Sequence, residues 1–164
     1  MTNKQFFIKT LESELPIFSR VLKVFEKVPK TKHGYTPHPR SKTLIAMLTE
    51  TFALESRMFP MFLKTGEIDF EKLGMPPKTL AESLKEFEKQ MKSTVAMIKK
   101  MKDKDWDSKA VMIMGGKPVW KATKGEMAWS FLLDLIHHRG QLSTYIRPVG
   151  GKVPSIYGPS ADSK

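Results

Sequence analysis

At 164 residues the chain has the length of one ordinary domain, and it contains no cysteine. Disulfides, thiolate metal sites and a cysteine nucleophile are excluded, so any thiol chemistry must use a thiol carried by a small molecule. The 28 Lys and Arg exceed the 17 Asp and Glu, giving a formal charge of +11. Lysine supplies most of that charge, scattered along every segment, and the arginines are only Arg20, Arg40, Arg57, Arg139 and Arg147. Arginine is the residue that clamps phosphates and reads bases bidentately, so this balance describes a solvated surface and argues against a nucleic-acid partner.

No apolar run reaches the roughly 20 residues that span a bilayer. The opening Met1-Thr-Asn-Lys-Gln-Phe-Phe7 enters an amphipathic pattern without a signal-peptide core. The sequence therefore predicts a soluble cytoplasmic protein with no membrane partner.

Apolar residues at three- and four-residue spacing (Phe7, Leu11, Leu15, Phe18, Leu22, Phe25) predict a first helix from Asn3 to Lys27. Asn3 is its expected N-cap, and Pro16 is expected to kink it. Val28 to Arg40, with three prolines, a glycine, His33 and His38, reads as a long ordered loop. A second helix is expected from Ser41, its inner face running from Leu44 and Met47 through Glu55 to Phe62, with Pro60 disturbing the last turn and Gly66 beyond it. Thr79-Leu-Ala-Glu82 is a capping-box pattern that opens a third helix to Lys102. Its stripe is Leu80, Leu84, Phe87, Met91, Val95, Ile98 and Met101. Ala110–Met114 and Pro118–Trp120 flank Gly115-Gly116-Lys117 as a short hairpin that needs helices to lie against. Thr123-Lys-Gly-Glu126 is a second capping box and starts a fourth helix to Arg147, stopped by Pro148 and Gly150-Gly151. The fold class is all-α: a four-helix bundle with long connections and a small hairpin before the last helix. Residues 1–164 form a single domain, with 152–164 a tail whose Ile156 and Tyr157 pack back on the body.

The fourth helix carries the chemistry. One inner stripe (Ala128, Leu132, Leu135, Leu142, Ile146) is plain core. The neighbouring stripe turns polar halfway along: Met127, Phe131, Asp134, His138, Gln141, Tyr145. Asp134 and His138, four apart, share a helix face and supply two metal ligands. A catalytic zinc site needs three ligands and an open position. The bland reading is a buried polar network in which Asp134 accepts from His137 or His138. Arg139 points about 100° away, towards an acid on a neighbouring helix or a substrate carboxylate. The methionines fall at core spacing, and Trp106, Trp120 and Trp129 are expected to anchor the hairpin.

His137-His138-Arg139-Gly140-Gln141-Leu142, then Tyr145-Ile-Arg147 and Gly150 to Asp162, resemble the C-terminal signature of the DinB/YfiT-like superfamily. Tyr35 to Ser41 and Leu63-Lys-Thr-Gly66 are also similar. The resemblance implies a four-helix bundle, assembled as a homodimer, with a metal centre of three histidines: one on the second helix and two, spaced by four, on the fourth. It implies a thiol S-transferase that uses the metal to bind and deprotonate a low-molecular-weight thiol; a carboxylate with a histidine suits zinc, nickel or iron(II).

The chain departs from that pattern twice. His138 matches the last family histidine, but the position four earlier is Asp134, and an ungapped placement puts Leu48 at the second-helix ligand position. Three outcomes stay open. A metal is held by His138 and Asp134 with Glu55 or His38 as the third ligand, and Gln141 assists His138 in catalysis. Glu55 lies two turns from Leu48, roughly 10 Å along the axis, so the geometry would have to shift. Alternatively the cluster is structural in a dimerisation module, or the cleft binds a small ligand without metal.

Overall fold

A computed structural model describes residues 1–163. Lys164, the last residue of the expected tail, lies outside them. The chain is mostly helical, in the order α1 (Asn3–Lys23), α2 (Leu44–Ala46), a π-helical run (Met47–Ala53), α3 (Leu54–Thr65), β1 (Glu67–Asp69), α4 (Leu80–Lys100), α5 (Asp103–Trp106), β2 (Lys109–Met114), β3 (Lys117–Thr123) and α6 (Lys124–Ile146). α2, the π run and α3 follow one another without a break and form one long helical segment. α1 packs on α4 and α6, and α3 packs on the same two helices.

All three long α-helices begin at a capping box. Thr79 and Glu82 open α4, and Thr123 and Glu126 open α6, as the sequence predicts. The cap of α1 is Thr2 with Gln5, not Asn3. Asn3 is diverted: its Oδ1 accepts the indole N–H of Trp106 at 3.0 Å and of Trp129 at 3.2 Å. α1 runs through Pro16 and ends at Lys23, where a 3-10 turn (Val24–Lys27) takes over. α3 likewise runs through Pro60 to Thr65 and closes on Gly66 at φ 79°, a left-handed cap.

Most of each predicted stripe is buried, but Glu14 takes the place of Leu15 on α1, and Ser83 and Thr94 those of Leu84 and Val95 on α4. On α1 the buried line is Phe7, Leu11, Glu14, Phe18, Val21 and Leu22. On α4 it is Leu80, Ser83, Phe87, Met91, Thr94 and Ile98. Ser83 and Thr94 can be buried because each hydroxyl donates to the carbonyl four residues back, at 2.8 Å. Leu15, Leu84 and Val95, expected in the core, instead line a groove of about 880 Å³ between α1 and α4.

The chain is mostly helical as expected, and the expected hairpin is part of a three-stranded sheet in the order β1-β2-β3. The hairpin is present. Gly115 and Gly116 both have positive φ, 56° and 71°, as a two-residue turn matched to strand twist requires. Pro118 is tolerated because β3 is an edge strand and the register slips between Met112 and Ile113. The additional strand is β1, parallel to β2 with Ile68 opposite Met112. Three residues are too few to show a period, so β1 arises from the chain leaving α3 beside β2, where Val111 N–H donates to Gly66 O at 2.9 Å. Trp106 is buried and stacks near Phe7, and Trp120 lies edge-on to Phe131, so both tie the sheet region to the helices. Among the described residues no helix is long and apolar enough to cross a membrane.

Candidate metal centre

The polar half of the α6 stripe meets the start of α3. The π run decides which α3 residue arrives there. Six of its seven residues are buried, Glu50 being the exposed one. A π turn takes in one extra residue per hydrogen-bonded ring, so every side chain after it is rotated relative to an uninterrupted α-helix. Leu48, the residue at the expected ligand position, is fully buried in the apolar core. Glu55, just past the π run, faces α6.

Ligand atoms of Glu55, Asp134 and His138 all lie within 4.8 Å of one another. His138 Nε2 is 3.3 Å from Asp134 Oδ2 and 3.7 Å from Glu55 Oε1. Glu55 is the deepest of the three, its side chain 13% exposed against 24% for His138 and 49% for Asp134. Burial pushes the Glu55 carboxyl up to about 8. The Asp134 charge and a hydrogen bond from the protonated acid to Asp134 add to that rise, and Lys42 works against it. Glu55 Oε2 is buried with no hydrogen-bond partner among the described residues. A buried carboxylate oxygen left unpaired is costly, and a cation is one way to satisfy it.

Gln141, one turn on, completes the cluster. Its Oε1 lies 2.9 Å from His138 Nδ1, and its Nε2 lies 2.9 Å from His137 Nε2. His38 is not brought to this group. It is exposed, and its Nδ1 accepts the Arg40 N–H at 3.1 Å. His33 is held by its own loop, with Nε2 at 3.1 Å from Val28 O. The loop does reach α6 by other means: Tyr145 OH donates to Lys42 O at 2.8 Å, and Tyr35 stands edge-on to Tyr145. Lys42 thus sits beside the centre, with Nζ 3.2 Å from Thr51 Oγ1 and 3.4 Å from Glu50.

The donor set fits a divalent cation: one imidazole nitrogen and two carboxylate oxygens, from two facing helices, with exposure enough on the Asp134 side for a further ligand. It differs in charge from three histidines. Two carboxylates neutralise a divalent ion that three neutral imidazoles would leave at +2, so acidification of a coordinated thiol or water is weaker.

A second polar cluster lies on the other side of α6. Arg139 is 1% exposed and donates from Nη1 to Glu14 Oε2 at 2.6 Å and from Nη2 to Tyr157 OH at 2.5 Å. Tyr157 OH in turn donates to Glu14 at 3.0 Å, and the guanidinium lies 4.4 Å from the Phe18 ring centre. Arg139 therefore makes a structural pair.

No protein-family model matches the sequence, and no curated protein does. Among solved structures, the fold is similar to that of YjoA, a DinB-like protein from Bacillus subtilis, with a TM-score of 0.67 and 17% sequence identity. The match covers 96% of this chain and 99% of that one. The chain has the DinB-like fold, over nearly its whole length.

Proposed function

We propose that this is a metal-binding DinB-like protein of the thiol S-transferase type, in which Glu55, Asp134 and His138 stand where a three-histidine centre is expected. The observation that carries this reading is the convergence of one ligand atom each from Glu55, Asp134 and His138 within 4.8 Å of one another. Zinc, nickel or iron(II) suits the donor set. When bound, such a metal lowers the pKa of a coordinated low-molecular-weight thiol and so supplies a thiolate nucleophile at neutral pH. His138 presents Nε2 as the neutral ligand, and Gln141 orients its ring. Glu55 and Asp134 would hold the metal through their carboxylates, Glu55 from the buried side and Asp134 from the exposed side. The four long segments form a four-helix bundle that acts as one cytoplasmic domain and pairs as a homodimer.

The test is elemental analysis of protein purified without a histidine tag, repeated for Glu55→Gln and His138→Ala. Stoichiometric metal in the parent, lost in both variants, is expected. Thiol-dependent transfer to a model electrophile should then follow metal content. A parent that stays metal-free and shows no stability gain with added zinc, nickel or iron(II) would sink the reading.

A second reading draws support from the closure of the network without metal. His138 has Gln141 on one ring nitrogen and the carboxylates on the other. The chain would then be a non-catalytic module for a small ligand or for dimerisation.

A further inference from the structure

α6 differs from the other long helices on the side that faces away from the core. α1 and α4 carry lysines and acids along their solvent sides, as surface helices do. Between Lys124 and Arg147, α6 has one basic side chain besides its histidines, Arg139, and that one is buried. Its outward line runs Trp129, Leu133, Ile136, His137, Gly140 and Thr144, none of them buried and none with a fixed charge, along about 22 Å of helix. Leu133 is 59% exposed. Phe6, 50% exposed, widens the patch, its ring centre 5.5 Å from that of Trp129. A helix without a charged side is one that something covers.

Gly140 points to a close-fitting cover. Glycine weakens a helix interior, and nothing within this chain requires one here: a Cβ at 140 would meet no atom within 4 Å. Gly125 in the same helix is the contrast, for its Cβ would lie 2.5 Å from the Trp106 indole. The space over Gly140 is open to a side chain from outside the chain. The face is also self-complementary. Two α6 helices packed antiparallel, about a two-fold axis between Ile136 and His137, set Leu133 over Gly140 of the other copy and Trp129 beside its Thr144. The same axis brings Glu126, at one end of the neutral line, to Arg147 at the other. Both keep atoms free for that pair, since Glu126 caps α6 through Oε2 and Arg147 meets Asp162 through Nε. A second copy carries the same charge of +11, so it docks where lysines are absent; an acidic partner would be drawn to the lysine-bearing faces.

We infer that the outward face of α6 is a two-fold interface with a second copy of this chain, Leu133 of each copy seated over Gly140 of the other. The inference rests on the homodimer in the proposed function and is independent of the metal centre. Sedimentation of the full chain should show a dimer. Leu133→Glu and Gly140→Leu should each raise the dissociation constant about 10-fold or more, with the helix content of the parent kept. The chain has no cysteine, so single cysteines report the register. His137→Cys, beside the axis, should form an intermolecular disulfide on mild oxidation in the presence of chelator. Thr144→Cys, roughly 22 Å along the axis from its counterpart, should not. A dimer unaffected by both substitutions, or linked through Thr144→Cys and not through His137→Cys, overturns the interface and leaves the metal-centre reading intact. A parent that sediments as a monomer overturns the interface and the homodimer together. A metal-free parent that dimerises and cross-links as described supports the interface and overturns the metal-centre reading alone.

Discussion

Glu55 sits where its neutral form is favoured, and that preference has a measurable sign. Its folded-state carboxyl is raised to about 8, first by burial and then by Asp134. Between the ordinary carboxyl range and pH 8 the folded, metal-free protein holds a proton that the unfolded chain has lost. The stability this contributes is complete below the ordinary range and disappears as pH rises through 8. Urea unfolding of metal-free protein should therefore show the parent less stable at pH 8 than at pH 5 by a few kcal/mol from this group, and Glu55→Gln should flatten that slope. Arg139 makes the opposite demand. Its guanidinium is buried and fixed by Glu14, so Glu14→Gln should cost about 3–5 kcal/mol, read as a lower urea midpoint. Replacing both partners with Leu and Met should restore much of that loss. At this scale the sequence showed residue types but not their partners. Glu14 stands on the apolar line of α1, between Leu11 and Phe18, and a charge on such a line signals a buried pair. The neighbouring Leu15 made an equally regular stripe and hid it.

Helix starts were legible because capping is local chemistry within four residues. Thr79 with Glu82 and Thr123 with Glu126 behave as the pattern predicts. The hairpin was legible for the same reason, since two consecutive glycines between strand-like runs leave few alternatives. Gly116, at φ 71°, should not tolerate a β-branched residue: Gly116→Val is expected to cost about 1–2 kcal/mol in thermal unfolding, while Lys117→Val beside it should be nearly neutral. The π run was not legible. A period of 3.6 is the only ruler a helical pattern provides, and Met47–Ala53 departs from it because most of its sides are packed. Leu48 and Glu55 were both expected on the inner face, but which of them would meet the polar stripe of α6 depends on this departure and could not be read from the period. The strand β1 was equally hidden, being defined by the hydrogen bonds of β2 rather than by its own three residues.

Across the whole molecule, α6 links two polar centres on different sides: the Glu55–Asp134–His138 group and the Glu14–Arg139–Tyr157 group. The second ties the tail to the body, because Tyr157 OH reaches a pair made by α1 and α6, and Asp162 pairs with Arg147 at 3.0 Å. Tyr157→Phe should lower the melting temperature by about 2–6 °C, and truncation after Gly151 by more. A truncated protein that melts with the parent would show that the tail contributes nothing to the fold.

By itself the sequence determined the helical class, the capped starts of α4 and α6, the hairpin turn and the location of the polar stripe on α6. Each follows from interactions among residues a few positions apart. Only the tertiary structure decided that Glu55 rather than His38 completes the cluster, that Arg139 is buried against Glu14, and that a third strand joins the hairpin. Those outcomes depend on how one element is rotated and set against another, and no local spacing encodes that rotation.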